Sequence, residues 1–323
     1  MRSRYFCADP AVGDGGGDVG LFGGIRYSAG SISAYGFTVG VLKLCIERGL
    51  KVHANTPAVK LERIERKKDG DDGDDGNDDD VSPARWTVTT PRGAIAARRV
   101  VLATNGYTAA LQPRFQGVVV PLRGQITAQR AGRGMPAAGL PVTYSFIYGG
   151  GYEYMVPRPG KDGGEDIVIG GGLARAEQGG LLEFGSTDDT TLNGTISEYL
   201  RESTPRYFGD NWGDDHPDGR VRSEWTGIMG YSVDGYPLVG HVPAEDENGP
   251  AGDQDTGLWA SCSFQGHGMV LCWMSAKALV EMMQGRDDTE LARWFPDAFR
   301  LTRERMGKSF KVLERLSAAD QSS

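Results

Sequence analysis

The residues best placed to do chemistry stand near the C-terminal end, in Phe264-Gln265-Gly266-His267-Gly268-Met269. They follow an apolar, strand-like run from Leu258 to Ser263 and precede a helical run from Met269 to Met283. Glycines at 266 and 268 let backbone amides approach a ligand closely. A helix opening at that point adds partial positive charge. Such a turn suits an anion, or a ring that becomes anionic; it also serves as the link of an ordinary packed strand–helix pair. His267 can bond a ligand there or the turn's own backbone. Arg123 can clamp a carboxylate in a bidentate fork, or can end as an ion-paired arginine at a strand edge. Gln125, two residues on, faces the same side of a strand and can share a pocket with it. Tyr148, Tyr152 and Tyr154 surround the glycines at 149–151. They can cap an amine with ring faces and hydroxyls, or simply cover a sheet. No Ser/His/Asp nucleophile arrangement and no paired-histidine metal motif occurs, and the four cysteines are too widely spaced for zinc. No metal is expected.

The elements around these residues follow from periodicity and turn chemistry. Apolar positions 37, 41, 42, 44, 45 and 46 predict a helix over 37–48, stopped by Gly49. Alternation then predicts strands through residues 50–67. Residues 84–105 predict three short strands, the last of which, Val100 to Ala103, is continuously apolar like a buried parallel strand. Residues 117–175 predict antiparallel strands with Gly/Pro turns, followed by a helix over 190–204 and a loop over 210–220. The helix Met269–Met283 is apolar almost all round and is expected to be buried, with Gly285 as its stop. Gly15, Gly17 and Gly20 formally spell G-x-G-x-x-G, but no core strand precedes them and no helix follows, so the stretch is read as flexible.

Composition narrows the class. The chain of 323 residues can bury a core without disulfides or metal. Glycine is in excess, at 48 residues, which implies many tight turns. The net charge of −8 equals the eight aspartates between Asp69 and Asp80, so the rest is near neutral and offers no basic face to nucleic acid. That acidic run is read as a solvated loop insertion over 67–84 between two strands, rather than as a calcium loop, whose closing glutamate it lacks. No apolar stretch is long enough for a membrane span and no signal peptide is visible. Cys45, Cys262 and Cys272 sit in apolar segments and read as small core residues. An intracellular, cytoplasmic location is expected.

Several segments, in order, carry a family resemblance. Residues 257–269 (GLWASCSFQGHGM) resemble the C-terminal flavin-contacting motif of the D-amino-acid-oxidase-like (DAO) FAD-dependent oxidoreductases. Ala29-Gly30-Ser31-Ile32-Ser33 with Tyr35, Asn55-Thr56-Pro57-Ala58, Val101 to Tyr107, and Pro121 to Gln125 resemble other family segments. So does Trp225 to Gly230 with Asp234 and Pro237 to Gly240. The pattern is most similar to fungal members and covers roughly residues 20–285. It implies an α/β plus antiparallel-β fold: an incomplete Rossmann-type FAD/NAD(P)-binding domain over 20–116 with 226–300, and an antiparallel-sheet substrate domain over 117–225. Residues 1–19 and 301–323 are terminal segments. It implies FAD as cofactor, held by Ala58, Thr104, Asn105, Gly266, His267, Gly268 and Met269. It further implies a small amine or amino-acid substrate, oxidised at a C–N bond by hydride transfer to flavin, with His267, Arg123, Gln125 and Tyr148 as candidate catalytic residues. The family's opening strand–GxGxxG–helix unit is not matched, so a truncated chain that binds FAD weakly is expected. A non-catalytic fragment or pseudoenzyme, binding a ligand or partner at most, is the alternative.

Overall fold

Short apolar runs punctuated by glycine and proline fold here into short strands, most of them paired with a neighbour in sequence. The computed structural model describes residues 24–64, 84–148, 151–159, 165–244, 256–287 and 289–310. The acidic run and the glycines at 15, 17 and 20 lie outside those residues. In chain order the elements are α1 (Ala34–Glu47), β1 (Lys60–Arg63), β2 (Trp86–Thr90), β3 (Gly93–Ala97), β4 (Val100–Leu102), α2 (Thr108–Leu111), β5 (Val119–Arg130), β6 (Tyr144–Tyr148), β7 (Gly151–Pro159) and β8 (Glu165–Gly171). They continue with α3 (Gly194–Phe208), β9 (Val221–Ser232), β10 (Leu238–His241), β11 (Leu258–Cys262), α4 (Gly268–Met283), α5 (Thr289–Trp294) and α6 (Arg303–Met306).

The chain divides into two compact units. One takes the residues up to Thr38 together with Arg123–Ile228; the other takes Val39–Leu122 and Met229 onward. In the first, β5 to β9 form a sheet in the order β6-β7-β8-β5-β9. The β6–β7, β7–β8 and β8–β5 pairs are antiparallel. Alternation sends Met155, Ile167 and Ile169 to one face, where each is fully buried. There they meet Ile196, Leu200, Tyr207 and Phe208 of α3. The helix starts because the Asn193 side chain accepts a hydrogen bond from the Ile196 amide at 3.3 Å.

The second unit holds two small sheets. One is the meander β1-β2-β3, and the other has the order β10-β11-β4, with β11 and β4 parallel. Phe115, Leu238, Leu258 and Ala260 pack around these strands. Ala278 and Leu279 of α4 pack with Leu291 and Phe295 at α5. Arg305 forks onto Asp234, with two contacts of 2.8 Å, and also donates to the Pro237 carbonyl at 2.8 Å, pinning the β9–β10 turn.

Three expectations are corrected. Residues 50–59 form no strand; only Lys60–Arg63 does. Asn55 is left-handed at φ 51° and Pro57 lacks an amide, which together break any ladder there. Helix α4 is present but buries only Ser275, Ala278 and Leu279. Met269, Val270, Trp273, Met274 and Val280 stay exposed, because the described residues cover one side of the helix only. Among the cysteines, Cys262 is buried but Cys272 is exposed. Gly285 does stop α4, with φ 72°. Among the described residues no helix is long and apolar enough to cross a membrane.

Candidate functional site

In the second unit, two loops leave the carboxyl ends of the parallel strands β4 and β11, the usual place for a ligand in such sheets. The loop after β11 runs through Ser263 (φ 62°), Gln265 (φ 54°) and Gly266 (φ 74°) before α4 begins. This left-handed sequence turns the chain sharply. It leaves the amides of Gly266, Gly268 and Met269 without hydrogen-bond partners among the described residues, at the positive end of a 16-residue helix. A Cβ at Gly266 would lie 3.2 Å from the Tyr231 hydroxyl and 3.3 Å from the Met229 sulfur, so the position has no spare room. His267 caps the helix; its Nδ1 donates to the Gln265 carbonyl at 2.7 Å and the ring is exposed. Nε2 is the nitrogen left for a ligand.

The loop after β4 carries Thr104 and Asn105. The Asn105 side-chain oxygen accepts from the Phe264 amide at 3.2 Å, tying the two loops together. Thr108 donates to the Asn105 carbonyl at 2.8 Å, so in the 2.8 Å contact between the two threonine hydroxyls Thr104 is the donor. Beside this loop lies a cleft of about 500 Å³ lined by Pro57, Ala58, Val59, Thr104, Tyr107, Ala110 and Leu111. Its size and apolar lining are those of a small-molecule site. The residues expected from sequence for a cofactor are thus brought into two places. Ala58 and Thr104 line the cleft; Gly266, His267, Gly268 and Met269 form the turn; Asn105 joins the loops.

The unit with the antiparallel sheet treats its candidates differently. Arg123 donates through Nε to Glu183 at 2.6 Å and through Nη1 to Thr191 at 2.8 Å and the Asp188 carbonyl at 3.3 Å. Gln125 is buried and saturated. It donates to Ser197 at 2.8 Å and the Asn193 carbonyl at 3.2 Å, and accepts from the Asn193 amide at 2.8 Å. The pair does share a strand face, but that face holds the start of α3. Tyr148 donates to Glu153, which also takes a 2.7 Å bond from Tyr207 and a 3.3 Å bond from the Gly172 amide. Burial and the neighbouring carboxylate raise the Tyr148 phenol well above its ordinary value, so it stays protonated. Tyr152 and Tyr154 do not join it. Glu153 stands between them in β7, and alternation puts them on the opposite face, their rings 6.1 Å apart. Glu153, Glu183, Tyr199 and Tyr207 were not singled out from sequence. The available signal was that Glu153 shares the inward register of Met155.

Residues 8–282 match the family described as DAO, FAD dependent oxidoreductase. The chain belongs to the DAO family. A glycine oxidase of Pseudomonas aeruginosa is 28% identical over 202 residues, which are 62% of this chain and 45% of that protein. The L-amino acid deaminase of Proteus vulgaris has the same fold, with a TM-score of 0.52 at 15% identity, over 82% of this chain and 61% of that one. So does NikD, an unusual amino acid oxidase essential for nikkomycin biosynthesis, with a TM-score of 0.50 at 15% identity, over 86% of this chain and 60% of that one. The DAO-family chain described here thus spans about half the length of the curated relative it matches. The family's cofactor is FAD. The turn at Gly266–Met269 and the cleft beside Ala58 and Thr104 fit such a group, since unpaired amides suit an electron-rich ring edge and an apolar cleft suits a planar ring system.

Proposed function

We propose that the protein oxidises a C–N bond of a small amine or amino acid, with FAD as hydride acceptor. The observation that carries the reading is the set of amides at Gly266, Gly268 and Met269 that have no hydrogen-bond partner among the described residues, placed at the head of α4 beside strands β4 and β11. When bound, FAD accepts a hydride from the substrate and gains negative charge. The three amides and the helix end oppose that charge, with no reorganisation of the backbone needed as it develops. The His267 Nε2 is the ring nitrogen open to a hydrogen bond with a ligand, because Nδ1 is fixed by the Gln265 carbonyl. Ala58 and Thr104 hold the other end of the cofactor in the cleft.

The test is anaerobic. The protein is mixed with FAD, and glycine, other amino acids and simple amines are added in turn while flavin absorbance is followed. Bleaching that requires both protein and an amine supports the reading. A flavin that binds and is bleached by none of them overturns it.

A further inference from the structure

Gln265 stands in the middle of the turn after β11 with a left-handed backbone, φ 54°. Glycine and asparagine adopt that conformation readily; glutamine seldom does. Something besides local preference must hold the residue there, and its own side chain supplies the hold. Gln265 Nε2 lies 2.9 Å from the Ser232 hydroxyl, 2.9 Å from the Ser263 hydroxyl and 3.1 Å from the Ser263 carbonyl. Its two N–H groups serve these three oxygens. The Gln265 backbone amide adds a 3.0 Å bond to the Gly230 carbonyl. Both anchors are themselves fixed. Ser263 is fully buried. Ser232, the last residue of β9, bonds the Tyr236 carbonyl at 2.7 Å and Asp234 at 3.0 Å, and Arg305 holds both of those groups. All of these residues belong to the second unit.

The clamp decides where the Gln265 carbonyl points. That carbonyl receives His267 Nδ1 at 2.7 Å. A carbonyl oxygen only accepts, so the proton sits on Nδ1 and the neutral ring keeps its lone pair at Nε2. A histidine side chain free in water favours the opposite arrangement, with the proton on Nε2. Beside this ring acceptor lie the amides of Gly266, Gly268 and Met269, which have no partner among the described residues. Three donors next to one acceptor match a ligand edge on which an electron-rich atom stands beside an N–H or O–H.

We propose that Gln265 is a positioning residue whose side-chain amide clamps the turn, so that its own carbonyl fixes His267 in the Nδ1–H tautomer and Nε2 accepts a hydrogen bond from the ligand. For the identity of the ligand this rests on the reading above; for the tautomer it does not.

The tautomer is read without FAD, from the imidazole ¹⁵N shifts of the full labelled chain at about pH 8.5, well above the ordinary histidine value of roughly 6.5. The His267 signals are identified by their loss in His267→Gln. The wild type is expected to show Nδ1–H. Gln265→Gly removes the clamp but suits a positive φ, so it should fold, and its His267 should pass mainly to Nε2–H. Gln265→Asn keeps an amide and tolerates the same backbone, and should recover most of the Nδ1–H form. A wild-type ring protonated on Nε2, an unchanged tautomer in Gln265→Gly, or a Gln265→Asn as altered as Gln265→Gly overturns the proposal. Should Gln265→Gly not fold, the wild-type tautomer and Ser232→Ala decide; Ser232→Ala removes one anchor outside the turn and should move the ring in the same direction. FAD is then titrated and flavin fluorescence followed. Its affinity should fall by about tenfold in Gln265→Gly and recover in Gln265→Asn. Equal FAD affinity with the tautomer lost overturns the tie to the ligand. A tautomer that depends on Gln265, without flavin bleaching by any amine, keeps the positioning role and rejects the oxidase reading; bleaching with a tautomer indifferent to Gln265 does the reverse.

Discussion

The two units of this chain handle polar groups in opposite ways. In the antiparallel unit, polar side chains are buried and nearly all satisfied: Gln125, Gln129, Glu153 and Glu183 each have two or more partners within the unit. In the other unit, the chemistry lies in backbone amides that have no partner among the described residues, beside apolar side chains that those residues leave exposed. The first pattern resists change from within. The second is built to be completed by something bound. Substitutions should therefore cost stability in the first unit and ligand affinity in the second.

The largest loss is expected for Glu153→Ala. Its carboxylate is fully buried and holds Tyr148, Tyr207 and the Gly172 amide. Removing it strands three donors and opens a cavity, at a cost of about 3–5 kcal/mol, to be read by urea unfolding. A loss under about 1 kcal/mol would mean that the network is not a structural unit. Arg123→Met comes next, with about 3 kcal/mol expected, because it leaves the buried Glu183 carboxylate with Asn193 alone.

A pH dependence accompanies the Arg123 pair. Burial pushes the Glu183 carboxyl up, but hydrogen bonds from Arg123 and Asn193 outweigh it, and the net direction is down. A carboxyl lowered in the folded state adds stability that is present above its unfolded value, near 4.5, and lost as pH falls through its folded value. Unfolding followed from pH 7 downward should show that loss in the wild type. In Arg123→Met the acid-dependent part from Glu183 should shrink or change sign, since burial then dominates. Parallel pH profiles for the two proteins would remove the pair from the account of stability.

Gly266→Ala tests the other side of the comparison. A left-handed alanine costs about 1–2 kcal/mol, and its Cβ meets the Tyr231 hydroxyl at 3.2 Å. The stability loss should be of that modest size. The FAD affinity, followed by flavin fluorescence, should fall by a larger factor, because the amide that must face the ligand moves. Equal losses in both would place Gly266 in the fold and not in the site.

How much of this was legible depended on whether a neighbour was local in sequence. Helix α1, strands β2 to β8 and helix α3 follow from alternation, spacing and turn residues, since those signals are short-range. The Gly266–Met269 turn was visible because glycines and a following helix mark it directly. Saturation of Arg123 and Gln125 was not visible: their partners Glu183, Asn193 and Ser197 lie some 60–70 residues away, and no periodicity reports such pairings. The burial of α4 was misjudged because an all-apolar sequence states what a helix would prefer to touch, not what surrounds it.

The smallest effect is expected on that same helix. Val270 and Val280 are exposed to 71% and 48%. Substituting side chains that touch water in the folded state removes no packing, so Val270→Gln with Val280→Lys should change stability by less than about 0.5 kcal/mol. Both replacements have equal or better helix propensity than valine, and a lysine near the C-terminal end of α4 complements the helix dipole. Losing exposed apolar surface should also lower aggregation, measured by light scattering during a thermal ramp. The outcome is informative in either direction. Unchanged melting with less scattering would mean that this face meets solvent in the protein as purified, as the comparison of the two units requires. A drop of more than about 1 kcal/mol would mean that both valines are packed in solution. The second unit would then be as self-contained as the first, and the contrast between them would be confined to the amides of Gly266, Gly268 and Met269.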